Sequence, residues 1–348
     1  MNKTILGSLA LLMIIGTSLV IVDYNKRNKD GNKKKKVYFN MDGNNDDMVA
    51  LLLLLNFKNI DLVGMAITPA DCEVTTAREF ASKLIYKKGL KVPIVVSDVE
   101  PVNDFPQEWK DQTLKNTYLP TLLKIDYSKK NELDTEASEH MYSTVKKIYE
   151  ESGEKTTFLI TGPPSTFVKA MKKYSDMKDY IEEVFWMGGA IDVPGNVQGK
   201  SYSEYNAYWD PPSTKDFIGL GLPLKVISLD STNSVKISKD MLTKLSKYNY
   251  YDGINLTNEL FAIAFWAYPD GTTNYCAWDC LAAMALEFDD LITYKEAKVD
   301  VVTDKNDEEG RIYKKEGSKN VIKYGQPLDS KAYDYFYDSF LKTLKYNL

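Results

Sequence analysis

From residue 37 onward, apolar and polar positions switch between two periods. Short apolar runs at Val37–Met41, Leu62–Thr68, Val92–Ser97, Thr157–Thr161, Val184–Met187, Leu224–Leu229 and Val299–Thr303 predict strands. Stretches of helical period stand between most of them, among them Thr75–Lys87, Glu136–Glu151 and Ser165–Tyr174. Met48–Leu55 also predicts a helix, with an apolar run too continuous to face solvent. Alternation of this kind predicts an α/β fold: an open, mainly parallel central sheet with helices on both faces. Such sheets bind ligands beyond the carboxyl ends of their strands. The polar clusters of this chain fall just after strands, where that rule expects a site.

The first 36 residues follow a different pattern. Ile5–Val22 is an 18-residue, mostly apolar run with Gly7, Ser8, Gly16, Thr17 and Ser18 as its soft spots. As a helix it would span about 27 Å, just enough for a bilayer core. Lys3 before it also suits a signal peptide, but no clean cleavage site follows. Residues 1–22 are therefore expected to be an uncleaved signal-anchor, with a cleaved signal and secretion as the alternative. Residues 23–36, rich in Lys, Asn and Gly, read as a basic, disordered linker. Residues 37–348 are the body. Lys33–Lys36 beside a span favours the cytoplasmic side, whereas a signal-like terminus favours export, so the side of the membrane stays open.

Composition narrows the function classes. Of 348 residues, 44% are hydrophobic and 27% charged, which excludes a disordered or multi-span chain. The net charge of −5 hides an asymmetry: 8 basic and 2 acidic residues lie in 1–36, leaving 36 basic against 47 acidic in the body, a net of −11. Such a body repels a phosphate backbone, so no nucleic-acid partner is expected. Three cysteines make no disulfide framework. His140 is the only histidine, which leaves no His-rich metal site and little room for a Ser-His-Asp device.

The chemistry concentrates in Asn40-Met41-Asp42-Gly43-Asn44-Asn45-Asp46-Asp47, directly after a strand and at the start of a helix. One capping Asp would explain Asp46 or Asp47. It does not explain three carboxylates and a glycine together, because like charges repel and a cation relieves them. Hard oxygen donors with no nearby His or Cys suit Ca²⁺ or Mg²⁺ and disfavour Zn²⁺. Two other segments offer further ligands: the Thr161 carbonyl at a strand end in Thr161-Gly162-Pro163-Pro164-Ser165, and Asp279 in the apolar run Ala277–Leu286.

These motifs resemble those of the nucleoside hydrolases, the calcium-dependent N-ribohydrolase family. Its hallmark Asp-x-Asp-Pro-Gly-x-Asp-Asp corresponds to residues 40–47 here. Gly43-Asn44 in place of Pro-Gly resembles the purine-specific, inosine-adenosine-guanosine branch. Ala70-Asp71-Cys72, Phe105 to Trp109, Met187 to Ala190, Gly195-Asn196-Val197, Glu204-Tyr205-Asn206, Ser228 to Asn233 and Ala277-Trp278-Asp279 agree with that branch, in the right order. The resemblance covers the body from about Val37 onward.

What it implies is specific. The fold would be the family's Rossmann-like sheet. Asp42, Asp47, Asp279 and the Thr161 carbonyl would ligate Ca²⁺. Asp42 would act as the base that takes a proton from an attacking water. Asp46, Asn196, Glu204 and Asn206 would hold the ribose hydroxyls, with Asn44 and Met187 close by. Trp109 and Trp278 would sandwich the base, and Asp71 would lie near it. The activity implied is hydrolysis of purine ribonucleosides to base and ribose, in a chain that forms a homodimer. The pyrimidine-leaning branch tends to carry His just before the metal-binding Asp, where this chain has Trp278. A protonated purine held between two indoles by cation–π attraction replaces a histidine acid in this reading.

Other features read as structural. His140 lies on an amphipathic helix, and Cys276 and Cys280 read as helix-packing residues. Asn255-Leu256-Thr257 is a glycosylation sequon, relevant only to an exported body. Asn40 replaces the hallmark's first Asp and removes a charge, and Gly43 is expected to loosen the loop. Asn40 motivates one alternative: a membrane-tethered nucleoside binder of the same fold with impaired turnover. A phosphotransferase would need a nucleophilic Asp at position 40 and is excluded by Asn40.

Overall fold

The computed structural model describes residues 33–266 and 275–348; the expected anchor and most of the linker lie outside the described residues. Among the described residues nine strands form one sheet: β1 (Lys35–Met41), β2 (Ile60–Ile67), β3 (Ile94–Val96), β4 (Thr156–Ile160), β5 (Ile181–Met187), β6 (Leu224–Ile227), β7 (Tyr294–Val301), β8 (Ile312–Lys314) and β9 (Val321–Gly325). Their spatial order is β3-β2-β1-β4-β5-β6-β9-β7-β8. Registers are parallel for β2–β3, β1–β4, β4–β5, β5–β6 and β6–β9. β1 and β2 also run together, with Lys36 paired to Asp61 at their starts and Met41 C=O accepting from Thr68 N–H at their ends. Only β7 runs against its neighbours, β9 and β8.

Two cores follow from the alternation of side chains along each strand. Val37, Phe39 and Met41 face one core with Leu159, Phe185 and Met187. Tyr38 faces the other with Phe158, Ile160, Val184 and Trp186. The helix Asn45–Leu54 sits in the first core with all ten residues buried. Its apolar run has no solvent side because neighbouring helices enclose it. Cutting Leu51 to Ala there would cost about 2–5 kcal/mol. Lys36–Leu348 forms one compact unit. Among the described residues both cores lie wholly within it, so the body holds what it needs to fold by itself.

The expected α/β layering is present, with differences at its margins. The strand expected at Val92–Ser97 shortens to Ile94–Val96. The one expected at Leu224–Leu229 stops at Ile227, because Leu229 already starts a helical turn, Leu229–Thr232. The run Val299–Thr303 belongs to the longer, antiparallel β7. β8, β9 and the closing helix Ser330–Leu344 carry too many Lys, Asp and Tyr to stand out by hydropathy. No helix among the described residues is long and apolar enough to cross a membrane.

Candidate active site

At the carboxyl ends of β1, β2, β4, β5 and β6 the loops enclose a cleft of about 840 Å³. Every residue expected to bind metal or substrate lines it except Asp47, which is fully buried. Asp42, Asn44 and Asp46 come from the turn after β1, Asp71 from the loop after β2, and Thr161 from the end of β4. Met187 ends β5, Asn196 lies in the following loop, Glu204 caps the short helix Tyr205–Trp209, and Asn206 lies in its first turn. Trp109 comes from the helix Gln107–Thr113, and Trp278 and Asp279 open the helix Trp278–Glu287.

The turn after β1 is built by its own polar groups. Asn44 caps the helix Asn45–Leu54, and Asp47 completes a reciprocal capping box. The Asp47 carboxylate accepts from the Gly43 and Asn44 N–H groups at 2.9 Å each, and from the Thr161 hydroxyl at 2.5 Å. Gly43 has φ +86°, and a Cβ there would lie 2.7 Å from Cys72 Sγ. A proline could supply neither that φ nor that N–H. The glycine thus fixes this turn, which corrects the expectation of a loosened loop. Gly162 is required for a different reason: a Cβ on it would come within 2.6 Å of Asp42 Cβ.

The four carboxylates of Asp42, Asp46, Asp47 and Asp279 are at most 4% exposed, and among the described residues none forms an ion pair. Burial, then the neighbouring Asp47 carboxyl, pushes Asp42 well above the usual carboxylate range. Burial and the charges of Asp46, Asp47 and Asp42 do the same to Asp279. Asp46 is pushed up to about 7 by burial and by Asp47, against the hydrogen bond from Tyr275. Among the described residues no three His, Cys, Asp or Glu side chains stand ready-gathered around a metal position. The reason is visible at Asp47, whose oxygens are turned onto the backbone and Thr161. The donor set nonetheless fits a hard cation: buried, all oxygen, and mutually repelling until positive charge is added.

The sugar-side polar residues are held in place by backbone groups. Glu204 accepts from Gly189 N–H at 2.7 Å, Asn206 N–H at 2.9 Å and Ala207 N–H at 3.1 Å. Asn206 Nδ2 donates to the carbonyls of Thr161, at 3.3 Å, and Met187, at 3.1 Å. Asn196 Oδ1 accepts from Tyr205 N–H at 3.1 Å. Asp71 accepts from Asn44 Nδ2 at 2.6 Å through one oxygen, and its other oxygen has no partner among the described residues. Buried Trp278 Nε1 likewise lacks one.

Sequence reasoning gave no role to three contributors, two of which, Tyr205 and Asp230, stand within the matched motifs. Tyr275 donates its hydroxyl to Asp46 at 2.9 Å and packs edge-on against Trp278, 4.8 Å between centroids. Tyr205 stands 4.7 Å from Trp109 in the same edge-on manner and lines the cleft. Buried Asp230 accepts from the Ile191 and Asp192 N–H groups and from the Ser228 hydroxyl, pinning the loop after β5. A tyrosine three residues before Trp278-Asp279 was the available signal for the first.

Other expectations fall outside the cleft. His140 is buried against Tyr38, Nδ1 to hydroxyl 2.7 Å, and burial lowers its pKa to about 4. Asn255 of the sequon sits in the helix Asp252–Trp266, its amide tied to Thr121 and Glu259. Cys280 is buried in the helix Trp278–Glu287, as expected of a packing residue, whereas Cys276 is buried ahead of that helix, in a bridge to Lys236. Asn40 is fully buried, donating to Thr68 Oγ1 at 2.9 Å and to Ala66 C=O at 3.3 Å.

The family described as "Inosine-uridine preferring nucleoside hydrolase" matches residues 37–334. A rice protein (Oryza sativa subsp. japonica) named "Probable uridine nucleosidase 2" is 27% identical over 216 residues, 60% of this chain and 61% of that protein. An Escherichia coli (strain SE11) protein named "Pyrimidine-specific ribonucleoside hydrolase RihB" is 23% identical over 215 residues, 62% of this chain and 66% of its own length. The matched stretch thus spans less than two thirds of either relative. A solved Bacillus anthracis structure, named an inosine-uridine preferring nucleoside hydrolase, superposes with a TM-score of 0.79 at 27% identity. It covers 89% of this chain and 99% of that one.

Proposed function

The chain belongs to the inosine-uridine preferring nucleoside hydrolase family, and from that premise we propose that it hydrolyses the N-glycosidic bond of purine ribonucleosides to free base and ribose. The carrying observation is one cleft that joins a buried carboxylate cluster, a set of fixed ribose-type hydrogen-bonding groups and two indoles. In this reading Asp42, Asp47, Asp279 and the Thr161 carbonyl would hold Ca²⁺. Calcium bound there supplies the positive charge that offsets the carboxylates and makes a nearby water more acidic.

The chain's own groups do the rest. Asp42 accepts the proton of the water that attacks the anomeric carbon. Asp46, Asn196, Glu204 and Asn206 grip the ribose hydroxyls, their orientation fixed by the backbone bonds above. The purine takes a proton from solvent while still attached, and Trp109 and Trp278 stabilise that cationic ring on their faces. The bond from C1′ to the base nitrogen then breaks, and the base leaves neutral. The unpartnered Asp71 oxygen is available to accept from a purine N–H.

The rice and E. coli relatives carry uridine and pyrimidine in their names, so the base preference needs its own support. It comes from the two tryptophans that line the cleft and from His140, which lies against Tyr38 outside it. The test is base release by the body, residues 36–348, from inosine, guanosine, adenosine and uridine. Purine release at least tenfold faster than uridine release, abolished by Asp42→Ala, is the expected result. Faster uridine release would overturn the base assignment. Binding without release by folded, calcium-loaded protein would replace the enzyme with a nucleoside binder.

A further inference from the structure

Away from the cleft, a second groove of about 470 Å³ lies where the chain enters β3. It is lined by Tyr86, Gly89, Leu90, Lys91 and Pro93 on one side and by Lys130, Asn131 and Leu133 on the other. Tyr86 and Leu90 are each 41% exposed and Leu133 38%, an unusual concentration of bare apolar side chains for a strongly charged surface. Around them the exposed charges are mostly positive: Lys87, Lys91, Lys129 and Lys130 against Asp126 and Asp134. Of the neighbouring carboxylates, Glu132 is buried against Arg78 Nε at 2.8 Å, whereas Asp134 pairs with the same guanidinium at 3.2 Å and stays exposed, as does Asp126. On a body with a net charge of −11 this is a local basic, amphipathic patch.

Its place in the fold matters. The groove is formed by the end of the helix Val74–Lys87 and the segment leading into β3, whereas the cleft opens at the carboxyl ends of the strands. The chain enters the body at Lys36, at the amino end of β1, two strands away in the same parallel set. Thirteen residues, 23–35, separate the 18-residue apolar run from Lys36. Even fully extended, they reach about 45 Å. A body tethered so closely meets the lipid surface at a high effective concentration, and weak contacts there become significant.

We infer that this groove is a docking surface for an anionic membrane: lysines 87, 91, 129 and 130 meet lipid phosphates, while Tyr86, Leu90 and Leu133 enter the interface. Aromatic and lysine side chains suit that boundary, with apolar bodies inward and polar tips at the headgroups. The arrangement turns the amino ends of the strands toward the lipid and leaves the nucleoside cleft facing the aqueous phase. The inference does not depend on the base preference or the metal.

The test is sedimentation of the body, residues 36–348, with vesicles of phosphatidylcholine alone or with 30% phosphatidylglycerol. Binding to the anionic vesicles at low salt, reduced at least fivefold by about 0.5 M salt and by Lys91→Glu with Lys130→Glu, is the expected result. The same double variant keeps nucleoside hydrolysis unchanged, because neither lysine touches the cleft. A Tyr86→Ser variant separates insertion from charge by weakening binding without altering its salt dependence. Equal binding to neutral vesicles, no binding at low salt, or undiminished binding by the double variant overturns the inference. So does a preference for an acidic peptide over anionic vesicles. A hydrolysis failure in the unmodified body would instead count against the enzymatic reading and leave this one standing.

Discussion

Two buried titratable clusters lie on this sheet, and they settle their burial in opposite ways. Tyr38 and His140 form a neutral, mutually hydrogen-bonded pair at 2.7 Å, and nothing more is needed to keep them inside. Asp42, Asp46, Asp47 and Asp279 are equally buried, yet burial raises the pKa of all four and neighbouring carboxylates push Asp42, Asp46 and Asp279 further. A neutral pair is finished when the chain folds. A set of like charges is finished only when something positive arrives, and it is maintained at a cost that a purely structural role would not justify. The contrast separates a packing solution from a site.

The comparison can be broken or sharpened by substitution. The largest effect on turnover is expected from Asp42→Ala, which removes the proposed base. Base release should fall by about 10²–10⁴-fold, with the folded state intact by circular dichroism. Gly162→Ala comes next. Its Cβ would enter the space of Asp42, and a displacement of about 1 Å at a reacting group costs on the order of 100-fold in kcat. Unchanged kcat in that variant would show that Asp42 need not be held where it stands.

Tyr275→Phe should act more mildly. It deletes one hydrogen bond to Asp46 while keeping the ring against Trp278, so KM for a ribonucleoside should rise about tenfold with kcat little changed. A 2′-deoxy or 3′-deoxy nucleoside should show a smaller ratio between variant and parent.

The smallest effect on turnover is expected at the other cluster. His140→Gln should leave base release at neutral pH unaltered but change the acid dependence of stability. The folded-state pKa of about 4 lies below the unfolded value of about 6.5. Between those values the unfolded chain binds more protons, so His140 lowers stability as pH falls from about 6.5 to 4, by on the order of 3 kcal/mol in all. Denaturant midpoints across that window should slope less steeply in the variant.

Much of this was legible in the sequence because the inner parallel strands bury most of their residues and so carry nearly continuous apolar runs. The acidic turn was legible because Asp42, Asp46 and Asp47 are adjacent in the chain. What escaped depends on tertiary pairing. Tyr275 reaches Asp46 because its segment pairs with the one around Lys236, a contact that no spacing announces. Asp230 acts through backbone N–H groups some 38 residues away, which carry no side-chain signal. β7 buries only two of its eight positions, so its hydropathy resembles a surface loop. Gly43 was visible as a departure from the hallmark, but its tight packing against Cys72 was not.

The most direct test of the central claim is base release from inosine by the body, residues 36–348, before and after chelation and again after calcium is returned. Turnover lost on chelation and restored by calcium, with no recovery in Asp279→Asn, is the result this account predicts. Full turnover in the chelated protein would contradict it, because the buried carboxylates would then be working without the cation their burial calls for.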